Sequence, residues 1–119
     1  MANILTADDS PSIQQMVRLT LESLGHDVTT VDDGSIALEQ AKEAQYDFVI
    51  TDINMPNMGG FELIQKLREL DNYKMTPIVC LTTESSDSYK KQGKEAGANG
   101  WIVKPFDPAD LSKILDRLL

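Results

Sequence analysis

Two kinds of segment alternate along the whole chain. Short apolar runs rich in β-branched residues are separated by longer stretches in which apolar residues recur with the period of a helix. Strands that alternate with helices form a parallel sheet covered on both faces and joined by right-handed crossovers. Residues 1–119 are therefore predicted to form one doubly wound α/β domain of five strands and five helices. The predicted strands are Asn3–Ala7, Val28–Val31, Asp47–Thr51, Thr76–Leu81 and Gly100–Val103.

The first predicted helix has clear ends and a clear apolar face. Ser10 suits its cap, Pro11 suits its first turn, and Gly25 suits its end. We expect its buried face to comprise Ile13, Met16, Val17, Thr20, Leu21 and Leu24. The other helices are predicted at about Asp33–Ala44, Gly60–Leu70 and Ser86–Ala96, and from an Asp107-Pro108 cap onward.

The segment Ser86–Ala96 differs from the other predicted helices. It has almost no apolar stripe, and Gly93 lowers its helix propensity. We therefore expect it to be the helix that moves most easily.

The net charge of the chain argues against direct binding to nucleic acid. The chain carries a formal net charge of −8 and has a pI of about 4.4, whereas nucleic-acid binding requires clustered Lys and Arg. No apolar run approaches the roughly 18 residues that a membrane span needs. The lone Cys80 cannot form an internal disulfide. We expect a cytoplasmic monomer that acts on other proteins and binds neither membrane nor nucleic acid.

Polar residues follow four of the predicted strands. Asp8 and Asp9 follow the first strand, Asp52 the third, Thr82 the fourth and Lys104 the fifth. Ligands of open α/β sheets bind beyond the carboxyl ends of the strands. The topology therefore predicts that three carboxylates, a hydroxyl group and an ammonium group lie together at one edge of the sheet.

This set of side chains favours a magnesium and phosphoryl site. Three neighbouring carboxylates raise one another's pKa unless positive charges balance them. Lys104 supplies only one positive charge against three negative ones. Oxygen ligands favour Mg²⁺. With the cation bound, Lys104 and Thr82 would stabilise a phosphoryl group, and one of the carboxylates could attack phosphorus to form an acyl phosphate.

Each of these residues also has an ordinary interpretation by itself. An Asp after a strand commonly caps a helix or forms a turn, and most lysines are solvated. Asp52-Ile53-Asn54 begins like a calcium loop, but Pro56 and Leu63 stand where ligands are required. Only the agreement of four strand ends favours a shared site.

These residues resemble a known family, the receiver domains of two-component signalling, in particular the single-domain, CheY-like chemotaxis type. The resemblance runs from Asn3 to the C-terminus. It implies a flavodoxin-like sheet with strand order 2-1-3-4-5. Its landmarks are Asp8-Asp9, Asp52 with Met55-Pro56 and Gly59-Gly60, Thr82, Ala96-Gly97-Ala98 and Lys104-Pro105-Phe106.

The resemblance implies a role for each site residue. Asp52 is expected to accept a phosphoryl group, Thr82 and Lys104 to contact that group, and Lys104-Pro105 to be a cis peptide. Mg²⁺ is expected to bind Asp9, Asp52 and the backbone carbonyl of Asn54, with Asp8 acting through water. Trp101 occupies the position of the switch aromatic, where Tyr or Phe is usual. Asn54 and Glu84 match positions that tune loss of the phosphoryl group.

The resemblance also implies partners. The donor would be a CheA-like histidine kinase, and the surface formed by helix four, strand five and helix five would bind a downstream protein. The flagellar motor switch is one candidate target, and a phosphatase is another expected partner. Lys90, Lys91 and Lys94 make helix four basic, which favours an acidic or mixed partner surface. No catalysis is expected beyond the chain's own phosphorylation and dephosphorylation.

Four other interpretations stay open on the sequence. A phosphorelay intermediate or phosphate sink would use the same site without a motor target. An aspartate-nucleophile phosphatase of the dehalogenase type usually carries Asp two residues after the nucleophile, where this chain has Asn54. A flavodoxin-like FMN carrier would need a hydroxyl-rich phosphate loop where Asp8 and Asp9 stand. A docking module would never take phosphate.

Overall fold

Five parallel strands and five α-helices alternate in the computed structural model, which describes all 119 residues. The strand order is β2-β1-β3-β4-β5, so the predicted fold class and order are confirmed. The strands are β1 Asn3–Ala7, β2 Asp27–Val31, β3 Phe48–Thr51, β4 Ile78–Thr82 and β5 Gly100–Val103. The helices are α1 Pro11–Ser23, α2 Gly34–Glu43, α3 Gly60–Glu69, α4 Asp87–Ala96 and α5 Pro108–Leu118, with a 3₁₀ turn at Asp71–Tyr73.

Two hydrophobic layers enclose the sheet. Successive residues of a strand point to opposite faces, and the buried strand residues contribute to both layers accordingly. The layer under α1 and α5 includes Ile4, Leu21, Phe48, Ile50, Leu81 and Leu111. The layer under α2, α3 and α4 includes Leu5, Leu63, Ile64, Leu67, Tyr73 and Ile78. No helix is both long and apolar enough to cross a membrane.

The predicted apolar face of α1 is wrong at two positions. Val17 and Leu21 are buried, but Met16 is 40% exposed and Leu24 is 46% exposed. Met16 lies about 100° around the helix from Val17, because an α-helix has 3.6 residues per turn. Leu24 is the C-cap residue and lies beyond the last turn of the helix.

Most predicted helix ends are confirmed, and one strand is shifted. The side chains of Ser10 and Asp107 cap their helices as expected, the latter within a capping box with Asp110. Ser86, predicted as the first residue of its helix, is instead the cap residue of α4. Strand β4 begins at Ile78, two residues later than predicted, and extends through Thr82. Pro77 lacks an N–H group and cannot donate to a neighbouring strand.

Candidate functional site

The carboxyl ends of β1 and β3 place two aspartates side by side. Ala7 and Thr51 are paired in register as the last residues of these strands, so Asp8 and Asp52 follow at the same level. The backbone N–H of Asp52 donates to the carbonyl of Ala7 at 2.8 Å, which extends the sheet by one residue. Carboxylate oxygens of Asp8, Asp9 and Asp52 all lie within 4.8 Å of one another. The predicted convergence of the three acidic groups is therefore observed.

Asp8 and Asp52 are held in the same manner. One oxygen of each carboxylate accepts a backbone N–H, from Ser10 at 2.9 Å for Asp8 and from Ile53 at 2.7 Å for Asp52. The other oxygen of each lies next to the Lys104 ammonium group, at 2.6 Å and 3.3 Å respectively. In both aspartates a backbone N–H therefore fixes one carboxylate oxygen, and the other oxygen faces the Lys104 ammonium group. Asp9 is exposed and makes no side-chain hydrogen bond.

Burial sets the protonation behaviour of Asp52. Removal of its carboxylate from water raises its pKa above 3.8, the Lys104 charge lowers it, and the neighbouring Asp8 charge raises it again. The net shift is upward, so Lys104 does not compensate fully for burial and for the second carboxylate. An additional cation would stabilise the ionised form of Asp52.

Thr82 and Lys104 lie next to each other at the ends of β4 and β5. The Lys104 N–H donates to the Thr82 carbonyl at 2.7 Å, and the Lys104–Pro105 peptide bond is cis, as the family resemblance implies. Thr82 is almost fully buried, and its hydroxyl oxygen accepts the backbone N–H of Glu84 at 3.3 Å. This contact links the end of β4 to the loop before α4.

Trp101 projects from β5 toward α3 and α4. Its indole N–H donates to the backbone carbonyl of Glu84 at 2.9 Å, and its ring centroid lies 6.4 Å from that of Phe61. The side chain is half-buried and packs against the core on this face. Trp101 therefore contacts the β4–α4 loop through a specific hydrogen bond as well as through packing.

The loop between β3 and α3 is fastened to the start of α2, which sequence reasoning missed. Asn57 has a positive φ of 64° and donates from its side chain to Asp33, the cap residue of α2. A Cβ atom at Gly34 would lie 2.1 Å from the carbonyl oxygen of Met58. These two contacts hold the loop that carries the exposed residue Asn54. The Asp33-Gly34 pair after β2 is a typical signal for a helix cap. The sequence does not show that it contacts Asn57 and Met58, because these residues lie 24 positions further along the chain.

Gln14 is a second residue that sequence reasoning missed. Its side-chain amide donates to the backbone carbonyls of Asp8 and Val31, the latter at 2.9 Å. Gln14 thus joins the ends of β1 and β2 next to Asp8 and Asp9. Nothing in the spacing of a helical glutamine predicts this contact, since it depends on how α1 lies over the sheet.

The side chains fit a hard divalent cation. The three clustered side chains offer carboxylate oxygens, and Mg²⁺ prefers oxygen ligands and usually takes one or two carboxylates together with waters. Burial and the neighbouring Asp8 charge raise the pKa of Asp52 despite Lys104, so a further cation would stabilise its ionised form. The cluster of Asp8, Asp9 and Asp52 is therefore suited to Mg²⁺.

Comparison with known proteins identifies the family. Residues 4–116 match the model of the response regulator receiver domain. The chain belongs to the response regulator receiver family. This receiver is 38% identical over 116 residues to the chemotaxis protein CheY-3 of Vibrio cholerae, which covers 97% of this chain and 89% of that protein.

Solved structures agree with this assignment. The chemotaxis protein CheY4 of Vibrio cholerae is 50% identical and superposes with a TM-score of 0.96, over 100% of this receiver and 99% of that chain. The receiver domain of the histidine kinase PA1611 from Pseudomonas aeruginosa is 32% identical, with a TM-score of 0.92 over 98% and 96% of the two chains. That structure holds a magnesium ion in its active site cleft.

The family assignment decides between the classes considered on the sequence. A receiver is a signalling domain of two-component systems rather than a classical enzyme or an FMN carrier. The similarity to CheY proteins over nearly the full length of both chains supports a CheY-like response regulator in chemotaxis.

Proposed function

We propose that this receiver accepts a phosphoryl group on Asp52 from the phosphohistidine of a CheA-like kinase, and that residues 1–119 act as one switch unit. The observation that carries the proposal is the convergence of Asp8, Asp9 and Asp52 within 4.8 Å, with Lys104 contacting two of them. Two isolated aspartates at strand ends would be ordinary turn residues. Three aspartates with a largely buried lysine are suited to a dianionic group and a cation.

The bonds that change in the transfer belong only to the Asp52 carboxylate and to the phosphohistidine donor. An oxygen of the Asp52 carboxylate attacks phosphorus, and a new O–P bond forms as the N–P bond of phosphohistidine breaks. The electron pair of that bond returns to the imidazole, which leaves neutral when its other ring nitrogen carries a proton. Mg²⁺, held by Asp9, Asp52 and the Asn54 carbonyl with Asp8 acting through water, would supply positive charge to the phosphoryl oxygens.

The remaining site residues are assigned to contacts with the phosphoryl group and to control of its loss. Lys104 would pair with the group and Thr82 would donate a hydrogen bond to it. Such a bond would reorient the hydroxyl group that now accepts the Glu84 N–H. Glu84 and the exposed Asn54 flank the site and would tune the lifetime of the acyl phosphate.

Binding of a partner is assigned to the surface formed by α4, β5 and α5. Trp101 links this surface to the Glu84 carbonyl, and hence to the loop after Thr82. Phosphorylation would then bias two arrangements of this loop and of α4. The flagellar motor switch is the proposed target, with a phosphatase as a further partner, and the receiver is proposed to act as a cytoplasmic monomer.

A second target class is favoured by one observation. Lys90, Lys91 and Lys94 are all exposed on α4, in a chain whose net charge is −8. A basic face on an acidic protein favours an acidic or mixed partner surface, such as a relay protein, over a purely apolar one.

The decisive experiment is labelling by acetyl phosphate with Mg²⁺, followed by intact mass spectrometry. We expect one phosphoryl group on the wild-type protein and none on Asp52→Asn. Asp71→Asn, which makes the same chemical change at an exposed site far from the cluster, should label normally. Equal labelling of Asp52→Asn and wild type would show that Asp52 is not the acceptor. A pull-down with and without beryllofluoride would then identify proteins that bind only the activated form.

A further inference from the structure

The indole of Trp101 occupies space that exists because residue 93 has no side chain. A Cβ atom built at Gly93 would lie 2.7 Å from Cζ3 of Trp101 and 3.2 Å from its Cε3. The same atom would lie 3.5 Å from Cε1 of Phe61. The first distance is shorter than two carbon atoms can tolerate, so an alanine at this position would force the indole and the helix apart.

Gly93 has no conformational reason to be glycine. It lies inside α4, is buried and has ordinary helical geometry, whereas the positive-φ glycine of this region is Gly97 at the C-cap. Glycine in a helix interior is less favourable than alanine, because it loses more backbone entropy on folding. The cost is therefore compensated by the contact that the missing Cβ permits.

We propose that Gly93 is a positioning residue for Trp101, and that the two form a size-matched pair that fixes α4 relative to β5. The indole ring packs against the backbone of α4 at Gly93, while its N–H group holds the Glu84 carbonyl at 2.9 Å. One side chain thereby joins the middle of α4 to the loop that precedes this helix. The carbonyl of Gly93 also accepts the N–H groups of Gly97 and Ala98, at 3.1 and 2.9 Å.

The pair completes a chain of contacts between Thr82 in the proposed site and the middle of α4. Thr82 contacts the Glu84 N–H, Glu84 contacts the Trp101 indole through its carbonyl, and Trp101 contacts Gly93. The packing itself exists in the resting protein and does not depend on phosphorylation. Its role in signalling rests on the proposed function.

The first test uses Gly93→Ala in the full chain, without Mg²⁺ or phosphodonor. Trp101 is the sole tryptophan, so its fluorescence reports its position directly. We expect a red-shifted emission and stronger quenching by iodide than in wild type, because the indole is displaced toward water. Gln92→Ala is the matched control, since it makes the neighbouring exposed residue of the same helix an alanine and should leave both readings unchanged. Wild-type fluorescence in Gly93→Ala would overturn the proposal.

The second test is a double-mutant cycle measured by urea unfolding. In a Trp101→Phe background the ring is smaller, so Gly93→Ala should stabilise the protein through its helix propensity. In the wild-type background the same substitution should stabilise less or destabilise. An identical effect in both backgrounds would show that Trp101 does not require Gly93, even where the single variant folds poorly.

The signalling role has its own readout. Gly93→Ala should still be labelled by acetyl phosphate to the wild-type stoichiometry, but lose the fluorescence change that labelling causes in wild type. Retention of that change would overturn the role of the pair in the switch. Absence of labelling in wild type would instead defeat the proposed function and leave the packing result intact.

Discussion

Lys104 Nζ lies 2.6 Å from Oδ2 of Asp8, closer than the 3.3 Å that separate it from Oδ2 of Asp52. The three side chains are each between 5 and 12% exposed, so this contact is largely removed from water. Lys104 thus acts as the counter-charge of the acidic pair while no other cation is bound. A divalent cation bound by the same carboxylates would lie close to the Lys104 ammonium group, and the two positive charges would repel each other.

We expect Lys104→Met to bind Mg²⁺ more tightly than wild type. Two unit charges 4 Å apart interact by about 4 kcal/mol at an effective dielectric of about 20, and solvent reduces this further. An increase of about tenfold, or about 1.4 kcal/mol, is therefore expected. Isothermal titration calorimetry measures it directly. Lys66→Met, at an exposed position of α3, is the control, and weaker or unchanged binding by Lys104→Met would contradict the assignment.

Asp33 should make stability depend on pH. Hydrogen bonds from the Asn57 side chain and from Ser35 lower its pKa below 3.8 in the folded protein. The folded state then favours the ionised form more than the unfolded state does. The stabilisation is fully present above pH 3.8 and is lost as the pH falls through the lower folded-state value.

Substitution at Asp33 checks this pH dependence. Asp33→Asn should lower the midpoint of urea unfolding at pH 7, and the difference from wild type should shrink as the pH falls below 3.8. The adjacent Asp32 is exposed and makes no side-chain hydrogen bond, so Asp32→Asn is a control that should change little. A difference that stays constant with pH would mean that the charge of Asp33 is irrelevant.

Arg68 stabilises the region between α3 and β5 without any carboxylate partner. Its guanidinium donates at 2.7 Å to the carbonyls of Tyr73, Thr76 and Gly97, and at 2.8 Å to Oδ1 of Asn99. Desolvation lowers its pKa, and these acceptors compensate for the burial of the charge. Lysine cannot reproduce a planar arrangement of five donors.

We therefore expect Arg68→Lys to destabilise the protein by about 2–3 kcal/mol, because several hydrogen bonds to a charged donor are lost. Chemical denaturation gives the value. Arg18 forms only an exposed pair with Glu22 at 3.4 Å, so Arg18→Lys should change stability by less than about 0.5 kcal/mol. Similar effects of the two substitutions would contradict this account of Arg68.

Cys80 should be inert in the native state. Burial, together with the nearby Asp52 charge, raises its pKa to about 12. Because the thiolate is the reactive form, a disulfide reagent at pH 8 should label Cys80 only at the rate of unfolding and immediately in urea. A Ser88→Cys variant, with an exposed thiol on α4, should react at once without denaturant. Rapid labelling of native wild type would indicate local opening of β4.

The fold could be predicted from the sequence because local signals agree with one another. Strand runs, caps at Ser10 and Asp107, and alternation of element types all favoured the same architecture. The errors lie where local pattern and tertiary position differ. Met16 and Leu24 have the period of a buried face, but α1 contacts the sheet along a narrower stripe.

Convergence of Asp8, Asp9, Asp52 and Lys104 was likewise determined by the sequence alone. In a parallel sheet the carboxyl ends of all strands meet at one edge, so the order of residues along the chain suffices to bring these groups together.

Only the tertiary structure decided which individual side chains are in contact, both in the site and elsewhere. Lys104 pairs most closely with Asp8, Trp101 packs into the space left at Gly93, and Arg68 donates to acceptors in two separate segments, residues 73–76 and 97–99. These contacts join residues distant in sequence over distances of a few ångströms. Periodicity and strand order specify positions only to within a helix turn or a strand spacing, whereas hydrogen bonds and van der Waals contacts depend on tenths of an ångström.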